Sequence, residues 1–99
     1  MIIFSFPQYR NLARVLKRSF GCGRGVFAQK RFANQEMYVV VKTKVQGEKC
    51  LVLGATAPPD ENFLSLLILC HTLKQAGAKE IIALIPYLGY SRHGRHEPG

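Results

Sequence analysis

The chain is poor in cysteine and in acidic residues, and it has no apolar run long enough to cross a bilayer. Its three cysteines, Cys22, Cys50 and Cys70, are odd in number and widely spaced, matching neither a zinc-ligand spacing nor a disulfide framework. Reduced, buried thiols and a cytoplasmic location are therefore expected. The longest apolar stretch, Phe63 to Cys70, is too short for a membrane span, so no membrane partner is expected. The opening MIIFSF carries no basic residue ahead of its apolar ones and does not read as a secretory signal. No internal repeat or low-complexity segment divides the 99 residues, so one domain is expected.

What the chain has is a 47% hydrophobic fraction, a mean hydropathy of +0.01 and a net charge of +8. The first two fit a globular chain with a real core. The charge is lopsided: residues 1–49 hold ten Lys/Arg against Glu36 and Glu48, while residues 50–99 balance four against four. Such a field draws polyanions, either nucleic acid or phosphorylated metabolites. Single-strand RNA modules need an aromatic platform on a sheet, and no such pattern is present, so nucleic acid is the secondary reading.

Periodicity supplies the elements. Ile2–Ser5 reads as a short strand. Leu12, Val15, Leu16 and Phe20 form one helical stripe, stopped at Gly21. Val26–Phe32 and Met37–Val41 are strand candidates around a polar turn at Ala33–Gln35, and a second turn falls at Gln46–Gly47. Cys50–Gly54 is a continuous apolar run of the kind buried on both faces. After the break at Ala57–Asp60, with Asp60 as N-cap, a helix is predicted to about Ala76, ending at Gly77. Its apolar residues nearly encircle it, which calls for burial by the sheet and by something else. Ile81–Ile85 is the last strand, and strand, helix, strand over Cys50–Ile85 makes a βαβ unit. The fold class is α/β with a mostly parallel sheet, doubly wound but incomplete.

Three segments carry candidate chemistry. Ile81–Arg95 is a buried-strand pattern running through Pro86 and a Tyr/Gly turn into Arg92, His93 and Arg95. Ligands of open α/β sheets sit beyond the carboxyl ends of strands, so this loop is placed to hold a phosphate; a solvated basic tail has the same composition. Gly21–Gly25, GCGRG, lacks the Lys-Ser/Thr ending of a P-loop and reads first as a turn. Lys30–Glu36, KRFANQE, offers an aromatic face, an amide and a carboxylate. Taken alone, Phe32 also fits the core and Asn34 also fits a turn former. No metal-ligand set can be assembled: His71 is mid-helix, and His93 and His96 lie in a basic loop that would repel a cation.

These residues resemble the N-terminal part of the ribose-phosphate pyrophosphokinase (phosphoribosyl-pyrophosphate synthetase) family. The similarity runs through IFS at Ile3–Ser5, LARVLKRSFG at Leu12–Gly21 and KRFANQEMYV at Lys30–Val39. It continues through ENFLSLLILCHTLKQAGAKEI at Glu61–Ile81 and IPYLGYSR at Ile85–Arg92. The specific feature is the pairing of RF-x-N-x-E with PY-x-x-Y-x-R. The resemblance implies a phosphoribosyltransferase-like N-terminal domain, truncated, and covering roughly the first third of a multi-domain enzyme. It implies ATP and ribose 5-phosphate as substrates, phosphoribosyl pyrophosphate and AMP as products, and Mg²⁺ as cofactor with ligands beyond Gly99. Phe32, Asn34 and Glu36 then line the adenosine pocket, and Arg92 approaches the ATP phosphates. His93 stands where the family usually has Gln and can still hydrogen-bond, whereas Gly94 replaces an Asp. Lys44 and Gln46 replace a Ser and an Arg of an allosteric phosphate site, so phosphate regulation is not carried over. The family forms hexamers, which implies a homo-oligomer or association with full-length synthetase subunits. Alone, the chain is expected to be catalytically inactive. The alternatives are a non-catalytic, regulatory subunit that joins complete synthetases, and a small basic nucleic-acid-binding domain.

Overall fold

The alternation of side chains along two central strands divides the interior into two cores. In this computed structural model, which describes residues 1–55 and 60–86, β1 (Ile2–Ser5) pairs in parallel with β5 (Lys49–Leu53). The chain order is β1, a 3₁₀ turn at Pro7–Tyr9, α1 (Arg10–Phe20), β2 (Gly23–Arg24), β3 (Phe27–Arg31), β4 (Met37–Val41), β5, α2 (Asp60–Gln75) and β6 (Glu80–Leu84). A parallel sheet runs in the order β2-β1-β5-β6, and β3 and β4 form a separate antiparallel hairpin.

Successive residues of a strand point to opposite faces. Ile3, Leu51 and Leu53 lie on the α1 side, where Leu12, Ala13 and Leu16 pack against them. Phe4, Cys50 and Val52 lie on the other side, in one cluster with Leu66, Leu69 and Leu73 of α2 and Val39 of the hairpin. Residues 50–53 are buried throughout, as a continuous apolar run requires. Helices on both faces make the sheet doubly wound, as the sequence predicts.

Two helical stripes differ from expectation. On α1 the packed residues are Leu12, Ala13 and Leu16, and Val15 and Phe20 are exposed. Ala13 lets the helix sit close, and the packed arc turns toward it. On α2 the second covering surface is the hairpin, yet Phe63, Leu64 and Leu67 remain exposed among the described residues. Leu66, Leu69 and Leu73, at i, i+3 and i+7, are the buried stripe. Asp60 is the first helical residue rather than the cap, so Asp60 and Glu61 both face the helix dipole from the first turn. The preceding break at 57–59 lies outside the described residues. At the other end Gly77 takes φ 95°, Ala78 N–H donates to Leu73 O and Gly77 N–H to Lys74 O, closing the helix.

The expected turn at Gly21–Gly25 is in part a strand. Gly23 and Arg24 pair with Ile2 and Ile3, and Gly25 N–H donates to Ile3 O at 2.8 Å. Gly25 is needed for close approach, since a Cβ there would lie 2.5 Å from the ring of the fully buried Phe4. At Gly23 the nearest atoms to such a Cβ are 3.9 Å away.

The cysteines are free, with Cys22 and Cys50 buried and Cys70 partly so. Burial pushes the Cys50 thiol up, the Glu48 carboxylate adds to this, and the terminal amino group opposes it; burial alone raises Cys70. A raised thiol holds its proton past the ordinary range near ~8.5, so thiolate chemistry is suppressed at neutral pH.

Gly25→Ala should destabilise the fold by about 2 kcal/mol, and Gly23→Ala by well under half of that, in urea unfolding. Equal effects would remove the ring contact as the reason for Gly25. With a disulfide reagent, Cys70 should label first, slowly at neutral pH and faster as pH rises beyond ~8.5. Cys50 labelling at the rate of Cys70 in the folded chain would contradict the burial order.

Candidate functional site

The hairpin is joined to the body by side chains, because no backbone ladder links it to the parallel sheet. On its inner face Phe27 meets Phe6 edge-on, with ring centroids 5.2 Å apart at 72°, and tilts against Phe4 at 6.1 Å. Two residues on, Gln29 donates from Nε2 to Ser65 Oγ of α2 at 2.8 Å, and Ser65 Oγ donates to Met37 Sδ at 3.1 Å. Ser65 is 4% exposed, and these contacts satisfy it. Two residues further, Arg31 Nη2 donates to Glu61 Oε1 at 2.9 Å while Nη1 donates to Gln35 O at 2.8 Å. Phe27, Gln29 and Arg31 thus form one period-two row that fixes the hairpin, Phe27 against Phe4 and Phe6 and the other two against α2. The Arg31–Glu61 pair is solvent-exposed and contributes about 1 kcal/mol or less. A small cleft of about 430 Å³ lies beside this row, walled by Lys30, Arg31, Glu61 and Asn62 among others.

The tip is built by its own hydrogen bonds. Phe32 N–H donates to Glu36 O at 2.8 Å, and Gln35 N–H donates to Phe32 O at 2.9 Å. Asn34 Oδ1 accepts from Glu36 N–H at 3.1 Å, the short polar side chain substituting for a backbone acceptor. Gln35 has φ 72°, the left-handed value glycine would favour. The Arg31 contact to its carbonyl oxygen holds it there.

Phe32, Asn34 and Glu36 are brought together at this tip, and all three are exposed. Phe32 stacks on Tyr38 across the strands, with centroids 4.3 Å apart and planes 22° from parallel. Register explains the pair: Lys30 stands opposite Tyr38, so Phe32 and Tyr38 are diagonal neighbours on the outer face. The pair offers an aromatic surface on which Phe32 is 53% exposed. Phe32 is therefore not core, whereas Asn34 does form the turn. Its Oδ1 is occupied by that turn, leaving the amide NH₂ and the Glu36 carboxylate to meet a ligand.

Arg92 and His93, the other candidate residues, lie outside the described residues, as do Tyr87, Tyr90, Gly94, Arg95 and His96. The described residues end at Pro86, just beyond the carboxyl end of β6. His71 is exposed on α2. Among the described residues no three His, Cys, Asp or Glu side chains converge on a metal-sized site. No helix among them is long and apolar enough to cross a membrane. Sequence reasoning missed Gln29, Arg31, Ser65 and Tyr38. Tyr38 was reachable from strand alternation, but the partners on α2 lie 30 or more residues away and leave no local signal.

Residues 1–99 match the family described as the N-terminal domain of ribose phosphate pyrophosphokinase. The ribose-phosphate pyrophosphokinase of Mesorhizobium japonicum is 34% identical over 100 aligned positions, covering 100% of this chain and 32% of that protein. Ribose-phosphate pyrophosphokinase 1 of Spinacia oleracea is 38% identical over 98 residues, covering 98% of this chain and 29% of its own length. The crystal structure of phosphoribosylpyrophosphate synthetase from Mycobacterium smegmatis superposes with a TM-score of 0.77 at 26% identity, covering 98% of this chain and 34% of that one. A purine phosphoribosyltransferase from Pyrococcus horikoshii shares the fold alone, with a TM-score of 0.64 at 16% identity over 88% of this chain and 62% of that one. The chain spans about a third of the length of the curated relatives it matches. By sequence over its whole length, and by a doubly wound parallel sheet with a projecting hairpin, it belongs to the ribose-phosphate pyrophosphokinase family, as that family's N-terminal domain.

Proposed function

We propose that this domain supplies the adenosine-holding corner of a ribose-phosphate diphosphokinase. In the complete enzyme the diphosphoryl group of ATP passes to the C1 hydroxyl of ribose 5-phosphate, leaving AMP and phosphoribosyl pyrophosphate. The observation that carries this reading is the exposed Phe32 ring, stacked on Tyr38 and flanked by Asn34 and Glu36. A purine needs a flat apolar surface, and Phe32 presents one already braced from behind. The Asn34 NH₂ can donate to a ring nitrogen, and the Glu36 carboxylate can accept from an exocyclic amine or a ribose hydroxyl. Family resemblance assigns Arg92 and His93 to the phosphates, where a guanidinium fork can bind two oxygens. Positioning and electrostatic stabilisation dominate phosphoryl-type transfers, so this domain's share is to hold and orient the nucleotide. Mg²⁺ belongs to the complete enzyme in this reading.

A projecting tip covers one face of a base and leaves the other to water. Small-molecule sites bury most of their ligand, so the second wall has to come from outside the hairpin. A neighbouring copy or a full-length synthetase subunit fits that requirement. The second reading, a non-catalytic subunit that joins complete synthetases, is favoured by Phe63, Leu64 and Leu67 exposed together on α2.

Adenosine, which carries no phosphate, isolates the tip. Its titration into the chain should shift the amide resonances of residues 32–38, and Phe32→Ala should weaken binding about tenfold, since stacking on one aromatic is worth ~1–3 kcal/mol. A silent tip with shifts elsewhere would refute the adenosine assignment. Coupled AMP formation from ATP, Mg²⁺ and ribose 5-phosphate by the 99-residue chain alone should be undetectable. Steady turnover would show the site to be whole. Co-purification with a full-length synthetase is the result the second reading requires.

A further inference from the structure

A second cleft lies away from the hairpin tip. It has a volume of about 550 Å³ and opens between α1, β2 and the base of β3. Its floor is apolar, from Ile3, Ala13, Val26 and Phe27, and its cationic wall is Arg10, Arg14, Lys17 and Arg24. Among the described residues no Asp or Glu lines it, and none of the four cations forms an ion pair.

The placement follows from the fold. Ser5 is the last residue of β1 and Pro7 lies just beyond it, and Gly25 and Val26 follow the carboxyl end of β2, the edge at which open α/β sheets take ligands. At 100° per residue, Arg10, Arg14 and Lys17 fall within roughly 60° of arc, and they extend over about 10 Å of the helix axis. They form a row of charge rather than a single point. Arg24 faces the same space from the adjoining strand and belongs to the glycine-flanked segment noted in the sequence. The backbone there cannot cradle an anion, because Gly23, Gly25 and Val26 N–H already donate to Met1 O, Ile3 O and Thr43 Oγ1. Recognition falls to the side chains.

We propose that this cleft is a second anion site, separate from the hairpin tip, and that it takes a small molecule bearing linked phosphoryl groups. A row of cations about 10 Å long exceeds what one phosphate needs, and the volume lies within the range of small-molecule pockets, ~300–1,000 Å³. A single-stranded nucleic acid would need stacking platforms along its path. The one aromatic ring among the lining residues besides the backbone walls, Phe27, is engaged edge-on by Phe6 and tilted against Phe4. That leaves a phosphorylated small molecule as the better match.

Inorganic tripolyphosphate tests this without an adenine, so its outcome is independent of the adenosine assignment. Calorimetric titration of the 99-residue chain at about 0.15 M salt should show saturable one-to-one binding. Arg14→Ala combined with Arg24→Ala should weaken it at least tenfold. Lys74→Ala combined with Lys79→Ala, which removes equal charge elsewhere, should change it less than twofold, as should Phe32→Ala. All of these are exposed positions, and circular dichroism with a Tm measurement checks that each variant folds. Absent saturation, or equal losses in the two double variants, overturns the site. Orthophosphate binding as tightly as tripolyphosphate overturns the linked-phosphoryl assignment. A deoxythymidine oligonucleotide that binds more tightly than tripolyphosphate, and loses affinity in the cleft variant, overturns it in favour of nucleic acid.

Discussion

The candidate site at the hairpin tip depends on how a hairpin outside the main sheet is held against its body. A two-stranded hairpin is marginal by itself in water, and among the described residues this one has no ladder to a third strand. Three successive inward residues replace that ladder by three kinds of contact: ring packing at Phe27, a buried hydroxyl relay at Gln29, and an ion pair at Arg31. The contacts grade from buried to exposed toward the tip. The base is therefore rigidly seated, and the part that carries Phe32, Asn34 and Glu36 is held by surface interactions of small individual worth. Ser65 is the hinge point of this arrangement, since an unpartnered hydroxyl at that depth would cost about 1–3 kcal/mol.

The body beneath is specified differently. β1 and β5 sit side by side, and each sends alternate residues into two separate cores. A one-residue slip between them would exchange Phe4 for Ile3 and Val52 for Leu51, presenting a large ring to the α1 side. Gly25 adds a second lock, because only a residue without a Cβ lets β2 leave the sheet past the Phe4 ring. The sheet is thus fixed by size complementarity as much as by hydrogen bonds.

This division explains what could be read from the residues beforehand. Strands appear within one residue of their predicted bounds, because continuous apolar runs and flanking glycines are local signals. Gly21 and Gly77 mark the helix ends at left-handed positions for the same reason. The failures are all tertiary. Val15, Phe20, Phe63, Leu64 and Leu67 look like core by periodicity, but which arc of a helix is covered depends on neighbours that periodicity does not name. Gly23–Arg24 passed for a turn because a two-residue strand has no pattern at all. At the tip, the composition of KRFANQE permitted either a core phenylalanine or a ligand-facing one, and only the register that pairs Lys30 with Tyr38 decides the face.

The two candidate ligand sites of the domain have opposite construction, and the difference bears on how charge is used. The hairpin tip presents an aromatic, an amide and a carboxylate, with Arg31 spent on holding the turn and Glu61. In the proposed reading it meets a base, and it holds little free positive charge. Among the described residues the α1 cleft has four cations without an ion pair and an apolar floor, with no exposed ring to stack on. It can attract phosphate oxygens but cannot discriminate a base. Cations along a helix repel one another unless something neutralises them, and like-charge pairs at i, i+4 such as Arg10 and Arg14 are unfavourable by a few tenths of a kcal/mol. The helix carries that repulsion with no acidic residue in its first turn to offset it. Its stability therefore leans on Leu12, Ala13 and Leu16 against the sheet, and an anion in the cleft would relieve the repulsion directly.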